Sequence, residues 1–419
     1  MTDKPSRAAP TAETSSGAGL GIAAACCGLV LAALPVFLVG GLAVQIRAEL
    51  GFSEAALGAA VSGAFLIGAC AAPIGGRLAD RIGARAAVLA GSALSVLALA
   101  GIGGAARSWA HLAIMLALSG LALALTDPGL AILVARAVPV TRHGLAFGVK
   151  EASIPIATLC AGLAVPGIAL TLGWRWAFAV GLLPLTGLAL LLPRIDLTAP
   201  LGPRRTPARL GDTAAAHDDG PPRTALLLVA AGAALGMVAA SGVGVFLTQS
   251  AVAMGQSPAS AGLLLAVGSV AGIITRIATG ILADRDGGQQ FGVISWMLAA
   301  GAVAMVLGAG GAGPLLVAGT IGTFAAGWGW SGLLFLSLVR ASPGAPGAAA
   351  GVGVAGLAAG NGLGPLLFGV IAQTVSFSAA WASAATLAAL SAVLMRLASS
   401  RFLAAGSGST PPSSCRPNR

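Results

Sequence analysis

The sequence is poor in charge. Asp, Glu, Lys and Arg make up only 9% of its 419 residues, whereas a water-soluble domain carries about 25%. Hydrophobic residues make up 57%, and the mean hydropathy is +0.93. These values exclude an ordinary water-soluble domain and indicate a protein embedded in a membrane.

Several chemical signatures are missing as well. The five cysteines show no metal-ligand spacing and four lie in apolar runs, so we expect no disulfide and no metal site. No HExxH, P-loop or nucleophile-elbow pattern is found, which argues against a membrane enzyme or an ATP-driven pump, and we expect no cofactor. The net charge of +10 comes from scattered arginines with no basic, aromatic-rich face, so we expect no nucleic-acid partner.

Long apolar runs are what the sequence does contain. Taking about 20 residues as the length that crosses a hydrocarbon core, we count twelve of them. They lack the alternation of barrel strands, so they predict an all-α membrane protein with twelve transmembrane helices. The runs cover approximately residues 20–44, 55–76, 86–106, 110–135, 144–170, 175–193, 224–248, 258–282, 290–310, 313–338, 347–373 and 378–395.

A polar stretch divides these runs into two blocks of six. Residues 194–223, rich in Pro, Ala and charge, are predicted to form a cytoplasmic linker between bundles at residues 20–193 and 224–398. Residues 1–19 and 399–419 are predicted to be cytoplasmic tails. The blocks also repeat each other, because Asp80 and Asp284 are 204 residues apart and so are Arg136 and Arg340. This common offset indicates a duplicated six-helix unit.

The basic residues predict the orientation. Eighteen Lys and Arg residues fall on the side of the N-terminus and three on the other side, so the positive-inside rule places both termini in the cytoplasm. An arginine-rich, lysine-poor composition is typical of a high-GC bacterium. We therefore expect a bacterial cytoplasmic (inner) membrane. We also expect the protein to be a monomer in the lipid bilayer.

One short motif occurs twice. The stretch GGRLADRIGAR (residues 75–85) lies between the second and third runs, and TGILADRDGG (residues 279–288) repeats its core between the eighth and ninth. Twelve helices in a six-plus-six repeat, a central loop and this motif resemble the major facilitator superfamily, over about residues 20–398. The resemblance implies two pseudo-symmetric six-helix bundles and secondary transport by alternating access.

The resemblance also implies that the motif is a cytoplasmic gate. In the family, its Asp docks against the start of a helix in the other half, near an Arg. Here Asp80 would meet the start of the eleventh helix with Arg136 close by, and Asp284 the start of the fifth helix with Arg340. The implied gating residues are Gly76, Asp80, Arg81, Gly83, Arg85, Arg136, Gly280, Asp284, Arg285 and Arg340. The alternative is a short, positively charged turn with no moving part.

Four charged residues fall inside apolar runs, where each costs at least about 2.5 to 3.5 kcal/mol at a helix centre. They are Asp127, Lys150, Glu151 and Arg276. The resemblance implies that the fifth and eighth helices face each other across the two halves, so Lys150 and Arg276 could both approach one ligand. Two adjacent cations favour an anionic substrate. The alternative is internal pairing, in which Asp127 or Glu151 neutralises Lys150. Asn361, in a glycine-rich run, is either a further ligand contact or a packing residue.

Asp127 and Glu151 are also candidate proton carriers. Burial favours the neutral, protonated form of a carboxyl group, whereas a nearby cation favours the charged form, so a change in surroundings during transport can switch its protonation. We therefore predict a proton-coupled secondary transporter of a small molecule, with a small organic or inorganic anion as the first choice of substrate. The alternative is drug or metabolite efflux by proton antiport, although drug antiporters of the family usually carry an Arg within the fourth helix, where this sequence has Asp127 instead. A passive channel or sensor is disfavoured because two gate motifs suit alternating access.

Overall fold

The computed structural model describes residues 12–139, 142–195, 223–285, 290–311, 313–342 and 346–407. Within these ranges, twelve helical spans are long and apolar enough to cross a membrane, which confirms the predicted all-α membrane fold. Numbered 1 to 12 in chain order, the spans are Ala18–Gly41, Glu54–Ile82, Ala84–Ala105, Trp109–Ala137, Gly144–Ala169, Trp174–Arg194, Arg223–Ala253, Pro258–Arg285, Phe291–Ala309, Pro314–Ala341, Ala348–Thr374 and Phe377–Ala404.

Successive spans cross in opposite directions, so span 1 begins at the face where span 12 ends. We call this the near face and the opposite one the far face. A short helix, Ala43–Leu50, connects spans 1 and 2 at the far face. The helix of span 1 begins at Ala12 and that of span 12 ends at Ser407, so both extend into the stretches predicted as tails. Most of the predicted linker, residues 196–222, lies outside the described residues.

Capping residues determine where several spans begin and end. Ser53 precedes span 2, and its Oγ accepts a hydrogen bond from the Ala56 N–H at 3.2 Å. Ser108 caps span 4 in the same way, with the His111 N–H at 3.3 Å. Each hydroxyl satisfies one of the N–H groups that a helix start leaves unbonded. Gly83, with φ +88°, ends span 2 in a backbone conformation that favours glycine and lets span 3 start at once.

Spans 5, 6 and 10 are interrupted. Span 5 consists of His143–Glu151 and Ser153–Ala164 and ends in the π-helical turn Val165–Ala169. Span 6 consists of Trp174–Val180, Leu183–Leu191 and the 3₁₀ turn Leu192–Arg194. Span 10 consists of Pro314–Gly322, the π-helical turn Thr323–Gly327 and Ser331–Ala341. Such breaks release main-chain carbonyls from the helix ladder, and these carbonyls can accept hydrogen bonds from other spans.

Close approach of helices within each half depends on glycine. In the first half, a Cβ on Gly75 of span 2 would collide with the Ala124 carbonyl of span 4. In the second half, a Cβ on Gly356 of span 11 would lie 2.5 Å from the Ala230 carbonyl of span 7. Small residues let membrane helices gain dispersion contacts where the hydrophobic effect gives none, and these glycines serve that purpose.

The two halves are held together at the far face. The Thr248 hydroxyl of span 7 donates to the Gly40 carbonyl of span 1 at 3.1 Å. The Leu366 N–H of span 11 donates to the Ser62 hydroxyl of span 2 at 3.0 Å. Toward the near face, by contrast, an added Cβ at Gly76 of span 2 would meet no atom within 4 Å, and the same holds for Gly351 of span 11.

Spans 5 and 8 contact each other from one face to the other. A Cβ on Gly162 would lie 2.6 Å from the Gly262 carbonyl toward the far face. In the middle, the hydroxyls of Thr158 and Ser269 are 2.7 Å apart. Near the other face, a Cβ on Gly148 would lie 3.2 Å from the Gly280 Cα. Spans 5 and 8 therefore form a seam between the halves that follows most of the length of both spans.

Candidate substrate cavity and gates

A cavity of about 230 Å³ lies between the two halves. Its walls are mostly apolar, and its aromatic members are Phe37, Phe65, Trp328 and Phe335. The charged residues that line it are Asp127, Glu151 and Arg276. The cavity is therefore an apolar chamber with one group of charges, a composition common in sites for small organic molecules.

The structure brings the four predicted membrane charges together. The Lys150 Nζ is 2.5 Å from the Asp127 Oδ1 and 3.0 Å from the Glu151 Oε1. Lys150 is 3% exposed and is not among the lining residues, whereas the Asp127 side chain is 49% exposed. The carboxylates therefore separate the lysine from the cavity, in the internal pairing that the sequence left open as the alternative.

Arg276 joins this group from the second half. Its Nη1 donates to the Glu151 main-chain carbonyl at 2.7 Å and lies 3.8 Å from the Glu151 Oε2. Its Nη2 makes a longer contact, 3.4 Å, with the Trp328 carbonyl of span 10. Two cations and two carboxylates thus form one cluster, hereafter the charge cluster, whose formal net charge is zero. Opposite charges at these distances offset part of the desolvation cost of each.

The local sequence explains why span 5 contacts charged residues on both span 4 and span 8. Lys150 and Glu151 are consecutive, and consecutive side chains project about 100° apart around a helix. Lys150 therefore reaches Asp127 on span 4 while Glu151 reaches Arg276 on span 8. The helix is interrupted immediately afterwards, at Ala152, so the charged pair lies at the end of a helical segment.

Asn361 also lines the cavity, on span 11. Its neighbours pack closely, because a Cβ on Gly360 would lie 2.5 Å from the Ala234 carbonyl and one on Gly362 would collide with Leu66. Both of the roles considered for this run, helix packing and ligand contact, are therefore compatible with the position of Asn361.

Trp330, on span 10, does not line the cavity. It is fully buried and donates its Nε1 proton to the Gly327 carbonyl at 2.8 Å.

The described part of the second copy of the repeated motif ends span 8 and contacts the start of span 5. The Asp284 carboxylate accepts hydrogen bonds from the N–H groups of Gly144 at 2.8 Å and Leu145 at 2.9 Å. Arg340 Nη2 donates to the Ala283 carbonyl at 2.7 Å. A Cβ on Gly280 would lie 2.8 Å from the Gly144 carbonyl, so only glycine allows this approach. The carboxylate satisfies unbonded N–H groups and lies at the positive end of a helix dipole.

The first copy makes fewer contacts among the residues that the structure describes. Asp80 is exposed and forms no hydrogen bond or ion pair with any residue that the structure describes. Its expected partner, the start of span 11, falls at residues 343–347, whose contacts are outside the description. Arg85 donates to the Leu192 carbonyl at 2.7 Å, within its own half. The remaining motif arginines, Arg81 and Arg285, are exposed.

A polar clamp between the halves at the far face was not predicted from the sequence. Arg47 donates to the Gln249 Oε1 at 3.0 Å and to the Phe52 carbonyl at 2.9 Å, and it also pairs with Glu54. The Gln373 Oε1 of span 11 accepts from the Ala55 N–H at 3.0 Å. The sequence signals are two charges and two glutamines at the ends of apolar runs, where polar residues are ordinary.

A second far-face cluster lies wholly in the first half. The Glu49 carboxylate accepts from Arg175 Nη2 and from Trp174 Nε1, each at 2.6 Å. These hydrogen bonds, the one from Arg175 first, hold the pKa of Glu49 below its usual value. Arg175 also donates to the Ala106 carbonyl at 2.8 Å, so the cluster joins the helix before span 2 to spans 3 and 6.

The helical architecture and the cavity between two similar halves define a multi-pass membrane transport protein. A family model described as Major Facilitator Superfamily matches residues 25–312, which is more than half of the sequence. The chain therefore belongs to the Major Facilitator Superfamily, a family of secondary transporters. None of the curated proteins with which the sequence was compared matches it.

Proposed function

We propose that this transporter moves a small organic anion together with a proton by alternating access. The observation that carries the proposal is the formal neutrality of the charge cluster beside the cavity. Asp127 and Glu151 balance Lys150 and Arg276, so an unprotonated cluster has no excess charge for an anion. Protonation of either carboxylate leaves one uncompensated cation, and an anion then restores neutrality.

In this scheme Asp127 and Glu151 carry the proton, while Arg276 and Asn361 contact the substrate directly. Lys150 does not contact the substrate, since it is buried and does not line the cavity, but its positive charge balances the carboxylates that do line it. The aromatic and aliphatic walls favour an organic anion with an apolar part over an inorganic anion, because the walls offer few polar groups to replace a hydration shell.

The gates support alternating access. The Arg47 clamp and the contact between spans 2 and 11 close the far face, whereas the Asp284 contact holds the near face. For the near face to open, Asp284 must leave the start of span 5. We assign the near face to the cytoplasm of a bacterial inner membrane, and we propose that the protein works as a monomer in the bilayer.

One observation favours a second candidate, the export of an amphipathic drug or metabolite by proton antiport. Asp127 is the most exposed carboxylate of the charge cluster and faces a chamber with four aromatic side chains. A carboxylate beside aromatic walls suits a cationic amphipathic compound, which would exchange with the proton on Asp127.

Ligand-induced thermal stabilisation of the purified protein distinguishes the two candidates, because a ligand that binds the folded state raises Tm by mass action. The probes are small aliphatic and aromatic carboxylates, nitrate and cyanate, and lipophilic cations, each at pH 5.5 and 7.5. Wild type is compared with Asp127→Asn, which replaces this carboxylate with a neutral amide and leaves the cluster with an excess positive charge.

If the anion proposal holds, a carboxylate stabilises wild type more at pH 5.5 than at 7.5, and Asp127→Asn binds it with little pH dependence. Stabilisation of wild type by lipophilic cations alone, lost in Asp127→Asn, would overturn the anion proposal in favour of export. Uptake of the stabilising compound into proteoliposomes with an imposed pH gradient then tests the coupling.

A further inference from the structure

Pro155 lies one turn after the charged pair of span 5 and has no part in the proposed chemistry. It is buried in the segment Ser153–Ala164, next to Gly272 of span 8, where an added Cβ would lie 3.4 Å from the Pro155 Cβ. In an α-helix the N–H of residue 155 would bond the carbonyl of residue 151. Proline has no N–H, so the Glu151 carbonyl loses its helix partner.

That released carbonyl is the acceptor that Arg276 uses. Arg276 Nη1 donates to the Glu151 main-chain oxygen at 2.7 Å, which is shorter than its distance of 3.8 Å to the Glu151 carboxylate. Its other main-chain contact, with Trp328, also falls at a break, because span 10 leaves α-helical geometry over residues 323–330. The guanidinium is therefore held by carbonyls from both halves at points where the helix ladder is interrupted.

Main-chain carbonyls do not titrate, and this distinguishes them from the Glu151 carboxylate. If Arg276 were held by the carboxylate alone, protonation of Glu151 would release it. With a carbonyl at 2.7 Å, the guanidinium keeps a strong acceptor whichever form Glu151 takes. Arg276 is then a cation with a fixed position at the cavity wall.

We infer that Pro155 is a positioning residue: by withholding an N–H from the Glu151 carbonyl, it reserves that oxygen for Arg276 and so fixes the substrate-facing cation. The inference deepens the proposed function and depends on it for the substrate consequence, but the positioning itself can be tested without any substrate. Pro155→Ala restores the N–H, which then competes with Arg276 for the carbonyl.

The first test is a double-mutant cycle on Tm, with Pro155→Ala and Arg276→Met alone and together. We expect Pro155→Ala to lower Tm by about 3 °C in the wild-type background, because a buried guanidinium loses its acceptor. In the Arg276→Met background the same change should leave Tm unchanged or raise it. Equal losses in both backgrounds would overturn the inference, since Pro155 would then act through packing alone.

A backbone ester separates the N–H from the proline ring. The α-hydroxy analogue of alanine, installed at position 155 by nonsense suppression, has neither ring nor N–H. We expect it to preserve the coupling with Arg276 that Pro155→Ala removes, and a coupling lost in both would contradict the inference. Pro73→Ala, on an exposed position of span 2, is the control for removal of a proline from a span.

The second readout uses a compound identified by thermal stabilisation. In the Pro155→Ala variant, we expect the KM for transport to rise about tenfold and kcat to change little. The reason is that displacement of the Arg276 guanidinium weakens binding of the compound equally in its bound and transition states. An equal fall in kcat with KM unchanged would contradict a positioning role. If no compound is transported, the proposed function fails, whereas the Tm cycle still decides the role of Pro155.

Discussion

At the scale of single residues, the membrane charges are tolerated because they share partners. Lys150 contacts two carboxylates, and Glu151 contacts two cations, one of them in the other half of the protein. Removal of one member should therefore cost more than removal of an oppositely charged pair, because the remaining cluster would keep an uncompensated charge.

Lys150→Met tests this balance. The substitution leaves two carboxylates with one cation, and we expect a loss of about 2 kcal/mol, below the value for a fully buried pair because Asp127 is half exposed. Lys150→Met with Glu151→Gln restores neutrality and should recover more than half of that loss. The measurement is denaturation of the purified protein, and a double variant no more stable than Lys150→Met would refute the balance.

Glu49 provides a pH-dependent prediction outside the membrane. Its pKa is lowered by the hydrogen bonds from Arg175 and Trp174, so its contribution to stability is fully present above its ordinary pKa of about 4.3. The contribution is lost as pH falls through the lowered value. Glu49→Gln should therefore cost about 0.5 kcal/mol at pH 7, since the pair is partly exposed, and progressively less below about pH 4. Tm of both proteins against pH measures this, and a constant difference down to pH 3 would contradict it.

At the scale of helices, spans 5 and 8 form a seam that only small residues allow. Gly162→Ala would place a Cβ 2.6 Å from the Gly262 carbonyl and 2.7 Å from the Ala266 nitrogen, both main-chain atoms that cannot rotate away. We expect a loss of about 1 to 3 kcal/mol, measured by thermal denaturation. Gly63→Ala, in span 2, meets no atom within 4 Å and should be neutral or stabilising by up to about 1 kcal/mol. Equal effects would show that the seam does not limit stability.

The sequence predicted the helices well because each one is a long apolar run. Span 3 was expected at residues 86–106 and is Ala84–Ala105. The interruption at Ala152 and the π-helical turn Thr323–Gly327 were not predicted, because the partners that stabilise them come from other spans. Pro155 was visible in the sequence, but its effect depends on the approach of Arg276.

The same limit applies to the candidate site. Charges inside apolar runs are conspicuous, so all four members of the charge cluster could be named from the sequence. Their pairing could not, because similar depth in the membrane does not say which helix faces which. Arg47 and Gln249 lie at the ends of runs, where polar residues are ordinary, and only the packed structure joins them across 202 residues of sequence.

At the scale of the whole molecule, the duplicated motifs provide a matched pair of variants. Asp284 holds the start of span 5, whereas Asp80 is exposed. Asp284→Ala removes a helix-capping interaction worth about 1 kcal/mol, so we expect labelling of a cysteine in the cavity to become about fivefold faster. Asp80→Ala should change the rate little.

The reporter is Asn361→Cys in a background whose five native cysteines are replaced by serine, and the reaction with a maleimide is followed on purified protein. Equal acceleration by both alanine variants would mean that the two copies of the motif are equivalent. No acceleration by either would remove Asp284 from the gate and leave the near face to other contacts.

The formal neutrality of the charge cluster has an electrical consequence. A region without net charge does no work against the membrane voltage when the halves move it, so the empty, unprotonated protein should change conformation at rates independent of voltage. One bound proton adds one elementary charge, worth about 2.3 kcal/mol per 100 mV across the full field. A bound monoanion cancels that charge again. The voltage therefore acts on the protonated, unloaded form alone and favours the conformation in which the cluster opens toward the negative side.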